Sequence, residues 1–213
     1  MALKLYFHPL SSFCHKVLIA LYESGAPFEP IIVDLMGDAS AFKALWPIGK
    51  IPVLRDEARD RTIPETSIII EYLAQYYPGQ SQLFPADRDL CRQMRLRDRF
   101  YDLYVHVPMQ KFVIDRMRPA DHKDAYGVEE ARTLLKTALD MVEKDMASNR
   151  WAMGDQFTMA DCAAAPALFY ADMVAPFRAT HKNVAAYLDR LMARPSYARA
   201  LKEAEPYFAM IPK

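Results

Sequence analysis

The sequence lacks three features that would assign the chain to a specialised class of protein. Lys and Arg total 27, as do Asp and Glu, so no excess charge draws the chain to nucleic acid or an anionic membrane. No run of eighteen apolar residues occurs, and residues 1–4 lead into a strand pattern without a signal peptide. Cys14, Cys91 and Cys162 are too few and too widely spaced for a disulfide framework or a metal knuckle. We therefore expect a cytoplasmic protein with no nucleic-acid, membrane or metal partner.

The first part of the sequence alternates strands and helices. Hydrophobic residues make up 52% and charged residues 25% of the 213 positions, the balance of a soluble globular protein with a sizeable core. The β-α-β opening indicates a parallel strand pair with a crossover helix, and the shorter later strands indicate an antiparallel hairpin. Strands are predicted at 3–7, 28–34 and 52–55, and helices at 13–23 and 66–76.

The second part is helical throughout. A turn-rich stretch at 79–87 separates the two parts and indicates a linker. The sequence therefore predicts an α/β domain at 1–78 and an all-α domain at 88–213. Helices are predicted at 87–117, 127–148, 158–172, 181–193 and 196–204.

Two neighbouring motifs predict a site for a short acidic peptide. Pro52 removes a backbone donor and holds Ile51 extended, so the main chain of Ile51 can pair with an external peptide. Eleven residues after Leu54, Glu65-Thr66-Ser67 opens an apolar helical pattern. A helix start offers free N–H groups and a positive dipole end to a small carboxylate.

These motifs resemble those of the cytosolic glutathione transferases, in the order and spacing of that family. The resemblance covers nearly all of the chain. It implies a thioredoxin-like domain followed by an all-helical domain, glutathione as co-substrate, a small hydrophobic electrophile, no metal, and a homodimer. The matching segments are Ser11-Ser12-Phe13-Cys14, Ile51-Pro52, Pro64-Glu65-Thr66 and Gly154 to Asp161.

The resemblance also implies which residues hold glutathione. Ile51 would pair with the cysteinyl main chain, next to a cis Pro52. Glu65 would receive the glutamyl ammonium and Thr66 the glutamyl carboxylate, although helix capping is the structural alternative for both. Lys50 is either a partner of the glycyl carboxylate or a solvated lysine.

Thiol activation is expected at residues 11–14. A hydrogen bond to a charged acceptor contributes roughly 1.5–3 kcal/mol, so one hydroxyl at a helix start can stabilise a thiolate. Ser11 aligns with the thiol-activating serine of the theta- and zeta-like classes. Ser12 and Cys14 are alternatives; a serine can instead be a helix N-cap, and Cys14 a buried small hydrophobe. A serine-type site favours conjugation, isomerisation or dehalogenation over thiol–disulfide exchange.

The helical part contains a capping box and part of the implied lining for the second substrate. Thr158-Met159-Ala160-Asp161 has a hydroxyl at the helix start and a carboxylate three residues on, which assigns Asp161 to folding. An apolar, aromatic lining would suit a hydrophobic electrophile, although aromatic residues at helical spacing also form cores. The lining implied by the resemblance comprises Leu10, Tyr101, Tyr104, Met109, Phe112 and Tyr207, with Pro9, His106 and Phe208 beside them.

The sequence is compatible with three functions. A glutathione transferase is the leading hypothesis. A maleylacetoacetate-type isomerase is the enzymatic alternative, but its class shows Ser-Ser-Cys-Ser where this chain has Ser-Ser-Phe-Cys. A non-catalytic binding or interaction protein is the third. For a dimer, the resemblance implies an interface built from Glu65 to Tyr76 and Leu90 to Tyr104.

Overall fold

The structure is a computed structural model that describes residues 3–34, 37–79 and 81–211. The parts of the predicted domains and linker at 1–2, 35–36, 80 and 212–213 lie outside the described residues. The chain divides into two compact units. Unit 1 comprises residues 1–83 and 196–208, and unit 2 comprises residues 84–195 and 209–213.

Unit 1 is built on a mixed sheet with strand order β2-β1-β3-β4. β1 and β2 are parallel, while β1 pairs antiparallel with β3 and β3 with β4. The predicted parallel pair and antiparallel hairpin are therefore confirmed. The second strand of that hairpin, at Arg61–Pro64, and a short helix at Ser40–Leu45 are not among the elements to which the sequence pattern gives bounds. The strands are β1 (Leu3–Phe7), β2 (Glu29–Ile32), β3 (Val53–Asp56) and β4 (Arg61–Pro64).

The helices of unit 1 begin and end where local chemistry dictates. α1 begins after the N-cap Ser11 and ends at Gly25, whose φ of 70° lies in the left-handed region that favours glycine. In β1, buried side chains alternate with half-buried ones, so one face of the strand packs into the core. The helices are α1 (Ser12–Ser24), α2 (Ser40–Leu45), α3 (Thr66–Tyr76) and α9 (Pro195–Ala204).

Helix α9 packs against α1, which is why unit 1 includes residues 196–208. Ser196 Oγ donates a hydrogen bond to Glu23 Oε1 at 2.6 Å, and the Tyr197 ring lies edge-on to the His15 ring at 6.0 Å. The sequence prediction assigns this segment to the all-α domain at 88–213. The compact units follow different boundaries, because these contacts join residues about 170–180 positions apart that no local pattern connects.

Unit 2 is helical and is centred on the helix Met159–Val174. Its first helical stretch, predicted as one helix at 87–117, contains a π-helical turn at Tyr101–His106, where Val107 N–H donates to Asp102 O. Pro108 follows that turn and lacks the N–H that a regular helix would use. The helices are α4 (Arg88–Phe100), α5 (Val107–Met117), α6 (Ala125–Asp145), α7 (Met159–Val174) and α8 (Lys182–Ala193). An α/β part followed by helices confirms the predicted fold class.

The start of α7 has the predicted capping box. Thr158 Oγ1 accepts Ala160 N–H at 3.3 Å, and Asp161 Oδ2 accepts Thr158 N–H at 2.8 Å. Asp161 is fully buried and also accepts Ala152 N–H at 2.8 Å and the Tyr187 hydroxyl at 2.6 Å. Burial raises the pKa of Asp161, and these hydrogen bonds oppose the rise. Asp161 therefore anchors the 151–158 segment to two helices of unit 2. Among the described residues, no helix is long and apolar enough to cross a membrane.

Candidate functional site

Strand register brings three chain segments to one end of the sheet in unit 1. Tyr6 of β1 lies opposite Val53 of β3, and Val53 lies opposite Pro64 of β4. The loop after β1, the segment that enters β3 and the segment that leaves β4 therefore meet at the same end. These segments carry Ser11, Ile51-Pro52 and Glu65-Thr66, the residues that the sequence predicts to form one site.

Ser11 is the N-cap of α1. Its backbone is extended, with φ −76° and ψ 116°, and its hydroxyl oxygen accepts Cys14 N–H at 3.4 Å. Of the two serines that could cap the helix, Ser11 is therefore the one that does so. A hydroxyl that accepts through one lone pair keeps its hydrogen for donation, so capping is compatible with a hydrogen bond to a thiolate. Ser12 lies in the first turn of α1 and is buried.

The loop that presents Ser11 is fastened by two histidines. Nδ1 of His8 accepts Leu10 N–H at 3.2 Å, and the buried ring of His15 donates from Nε2 to the carbonyl of Pro9 at 2.5 Å. Burial lowers the pKa of His15 to about 4, against a smaller opposing effect of the Pro9 hydrogen bond. Burial also lowers the pKa of His8, which the charge of Asp34 opposes. Both rings are therefore neutral at physiological pH, and they act as supports of the loop.

Cys14 has the environment of a structural thiol. Its side chain is fully buried in the first turn of α1. Burial raises the pKa of the Cys14 thiol to about 12, although hydrogen bonds with the Ser11 side chain and the His8 backbone oppose the rise. The thiolate is the reactive form of a cysteine, so a thiol of this pKa is a poor nucleophile at neutral pH. This environment favours the interpretation of Cys14 as a buried small hydrophobe.

The segment that enters β3 has the expected backbone form. The Ile51–Pro52 peptide bond is cis, which confirms that prediction. Ile51 packs against the cluster of Val33, Phe42 and Val53, which fixes its side chain and leaves its main chain at the end of the sheet. Lys50 precedes it and is exposed, which fits both a ligand contact and a solvated lysine.

Glu65 occupies a strained backbone conformation directly before α3. Its φ is 69°, in the left-handed region that is uncommon for residues other than glycine. Such strain persists where the surrounding structure holds it, and it is typical of functional sites. Glu65 is exposed and makes no side-chain cap hydrogen bond, whereas Thr66 begins α3 and is buried. The first-turn N–H groups of α3 thus lie beside an acidic side chain that does not cap them.

The residues of the implied second-substrate lining lie in different units. Leu10 and Tyr207 belong to unit 1 and are half-buried, and Tyr207 lines an apolar cavity of about 270 Å³ with Phe7, Pro9 and Phe28. The remaining four belong to unit 2. Tyr101, Met109 and Phe112 are buried there and Tyr104 is exposed. Burial raises the pKa of the Tyr101 phenol, the charge of Asp161 adds to the rise, and a hydrogen bond with Tyr187 opposes it. The lining remains a prediction.

Two further features of the described residues bear on ligands. No group of three or more His, Cys, Asp or Glu side chains among them could hold a metal ion. A groove of about 730 Å³ lies within unit 2 between α6 and the α7–α8 connection. Its floor includes Leu139 and Phe177, and at its rim His181 Nε2 lies 3.0 Å from Asp140 Oδ1. Its lining residues include none of those that the sequence singles out for a site.

Comparison with known proteins identifies the family. The family model of the glutathione S-transferase N-terminal domain matches residues 5–81, and that of the C-terminal domain matches residues 125–190. The chain is 32% identical over 208 residues to glutathione S-transferase 3 of Zea mays, covering 93% of each protein. It therefore belongs to the glutathione S-transferase family, and unit 1 contains the thioredoxin-like fold of that family.

Two other similar proteins differ in whether their names state an activity. A crystal structure of a glutathione S-transferase from Methylobacterium radiotolerans, in complex with glutathione sulfonate, matches with a TM-score of 0.82 at 29% identity, covering 93% of each chain. A stringent starvation protein A homolog of Haemophilus influenzae is 29% identical over 202 residues, covering 91% of this chain and 87% of that protein. The family thus includes relatives whose names carry an enzymatic activity and relatives whose names do not.

Proposed function

We propose that this chain is a glutathione transferase of the serine type, in which Ser11 stabilises the glutathione thiolate for attack on an electrophilic carbon. The observation that carries the proposal is the strand register through Tyr6, Val53 and Pro64, which brings three motif segments to one end of the sheet. Ser11 supports it further, because its hydroxyl stands at the N-terminus of a thirteen-residue helix whose dipole also favours a thiolate.

Glutathione is held by its main chain and its two ends in this proposal. The extended main chain of Ile51 pairs with the cysteinyl unit. The carboxylate of Glu65 receives the glutamyl ammonium, and Thr66 receives the glutamyl carboxylate through its hydroxyl and the first-turn N–H groups of α3. Lys50 contacts the glycyl carboxylate. The similarity to a glutathione S-transferase solved with glutathione sulfonate supports these assignments.

The second substrate in this proposal is a small hydrophobic electrophile, and the working form is a cytoplasmic homodimer. Exposed apolar side chains on α3 and α4, such as Ile68 and Leu90, support self-association. Light scattering tests the dimer. A dimer has twice the chain mass of 24.4 kDa, and a measured mass near 24.4 kDa would contradict self-association.

A non-catalytic binding protein is the second candidate. The similarity to a stringent starvation protein A homolog over 91% of the chain favours it. The two candidates differ in their chemistry, because an enzyme must bind glutathione and lower the pKa of its thiol. A protein that acts only by protein contacts needs neither property.

Calorimetric titration with glutathione, followed by an assay with an activated aryl chloride, tests the proposal. Wild type should bind glutathione and form the thioether. Glu65→Gln should weaken binding by roughly tenfold or more, the loss of a hydrogen bond between charged groups. Glu57→Gln is the matched control, because Glu57 is an exposed carboxylate of the same unit paired with Lys4. Absence of binding at millimolar glutathione would overturn the proposal and favour the second candidate.

A further inference from the structure

A lysine is buried between the two helices that carry the proposed site. Lys16 lies in α1, five residues after Ser11, and its side chain is only 1% exposed. Its ammonium nitrogen donates a hydrogen bond to Ser67 Oγ of α3 at 3.0 Å. Burying an ammonium group costs several kcal/mol unless the structure compensates for it, so lysine is rarely buried completely. This hydrogen bond therefore joins α1 to α3 close to the proposed site.

Ser67 is the second residue of α3 and directly follows Thr66. The hydrogen bond from Lys16 thus holds the first turn of α3 against α1. It does so two residues after Glu65, whose strained φ of 69° needs support from the surrounding structure. Backbone contact supplies another part of that support, because Ile69 N–H donates to Glu65 O at 2.8 Å. Lys16 adds a side-chain contact that supports the start of α3 from α1, the helix that Ser11 caps.

We propose that Lys16 is a positioning residue for the γ-glutamyl end of glutathione. This inference rests on the proposed function. Lys16 holds Thr66 and the first-turn N–H groups of α3 in the geometry that receives the glutamyl α-carboxylate, and its buried positive charge favours that anion. Through the same hydrogen bond it couples the helix that presents the thiol-activating hydroxyl to the helix that anchors the substrate.

This role predicts a loss of affinity that depends on one group of the ligand. Lys16→Met keeps the length of the side chain and removes its charge and hydrogen bond. We expect it to raise the Kd and KM for glutathione by roughly tenfold or more, the effect of one charged hydrogen bond, with a smaller change in kcat. Binding of γ-aminobutyryl-cysteinyl-glycine, which is glutathione without the glutamyl α-carboxylate, should change little. Lys16→Arg should restore part of the affinity for glutathione.

Calorimetric titration of both peptides into wild type, Lys16→Met and Lys16→Arg tests the inference. Lys202→Met is the matched control, because it is the same substitution at an exposed position of the same unit. Ser67→Ala removes the acceptor from the other side and should produce the same selective loss, which keeps the test valid should Lys16→Met fail to fold. Equal weakening of both peptides, or unchanged glutathione binding in a folded variant, would overturn the role of Lys16. Failure of wild type to bind glutathione would instead overturn the proposed function, and this inference with it.

Discussion

The hydroxyl oxygen of Ser11 accepts the backbone N–H of Cys14 at 3.4 Å. The serine proposed to activate the thiol is therefore also the cap of α1. Its oxygen satisfies one of the N–H groups that a helix start leaves unpaired, and its hydrogen remains available to a thiolate. Replacing Ser11 with alanine removes both effects, so a second substitution that keeps the cap is needed to separate them.

Ser11→Ala and Ser11→Asp separate capping from thiolate stabilisation. Alanine cannot cap, so we expect Ser11→Ala to lower the free energy of unfolding by about 1 kcal/mol. Aspartate caps well but has no hydrogen to donate when ionised, so Ser11→Asp should keep the stability and lose activity. Urea unfolding and the conjugation rate provide the two measurements. An active Ser11→Asp enzyme would show that hydrogen-bond donation by Ser11 is dispensable.

Cys14 should be chemically inert in the folded protein. Its thiol is fully buried, with a pKa raised to about 12 by burial, so almost none is ionised at neutral pH. We expect a neutral alkylating agent to modify the partly exposed Cys91 first and to spare Cys14 until the chain unfolds. Mass spectrometry of the alkylated protein locates the label. Rapid labelling of Cys14, or loss of conjugation in a folded Cys14→Ala variant, would give the thiol a role that this account denies.

His15 should make the protein sensitive to acid. Its pKa lies near 4 in the folded state, because burial disfavours the charged ring, against 6.5 in the unfolded chain. The unfolded state therefore binds more protons between these values, and stability falls as the pH falls. At 1.36 kcal/mol for each pKa unit, the loss between pH 6.5 and pH 4 is about 3 kcal/mol. Glu203 is the charged group that opposes this shift.

His15→Gln tests this expectation, because glutamine retains a donor for the Pro9 carbonyl and does not titrate. Urea unfolding at several pH values should show a shallower loss of stability for the variant than for wild type between pH 6.5 and pH 4. Parallel curves for the two proteins would mean that other groups cause the acid sensitivity.

Asp161 should be among the most sensitive positions for folding. Its buried carboxylate accepts hydrogen bonds from Ala152, Thr158 and Tyr187. Asparagine would turn an N–H group toward at least one of these donors, so Asp161→Asn should lower the free energy of unfolding by about 3 kcal/mol or more. Asp155→Asn is the matched control at an exposed position of the same segment and should have little effect. A similar melting temperature for both variants would contradict the structural role of Asp161.

Local sequence patterns predict the parts of this molecule that local chemistry determines. The capping box at Thr158–Asp161, the cis peptide before Pro52 and the order of α/β and helical parts all follow from short motifs or family spacing. The boundaries of β2 and β3 fall within a few residues of their predictions. These features depend on neighbours in the chain, which a sequence displays directly.

Individual side-chain contacts between distant parts of the chain are not predicted. No sequence pattern marks Lys16, because its hydrogen-bond partner Ser67 lies 51 residues further along the chain. No sequence motif marks His15, since the carbonyl of Pro9 that fixes its ring is a backbone group. The packing of α9 on α1 likewise depends on pairs such as Glu23 and Ser196. Each of these is a polar contact of a charged or aromatic side chain, and periodicity gives no information about such contacts.

The role of Ser11 is tested by the ultraviolet absorbance of the glutathione thiolate across a pH series, with wild type, Ser11→Ala and Ser11→Asp. We expect a bound thiolate in wild type with an apparent pKa well below the free thiol value of about 8.5. Both variants should lose this depression of the pKa. An unchanged thiol pKa in wild type, or an equal depression in the two variants, would contradict the assignment of Ser11 as the group that activates glutathione.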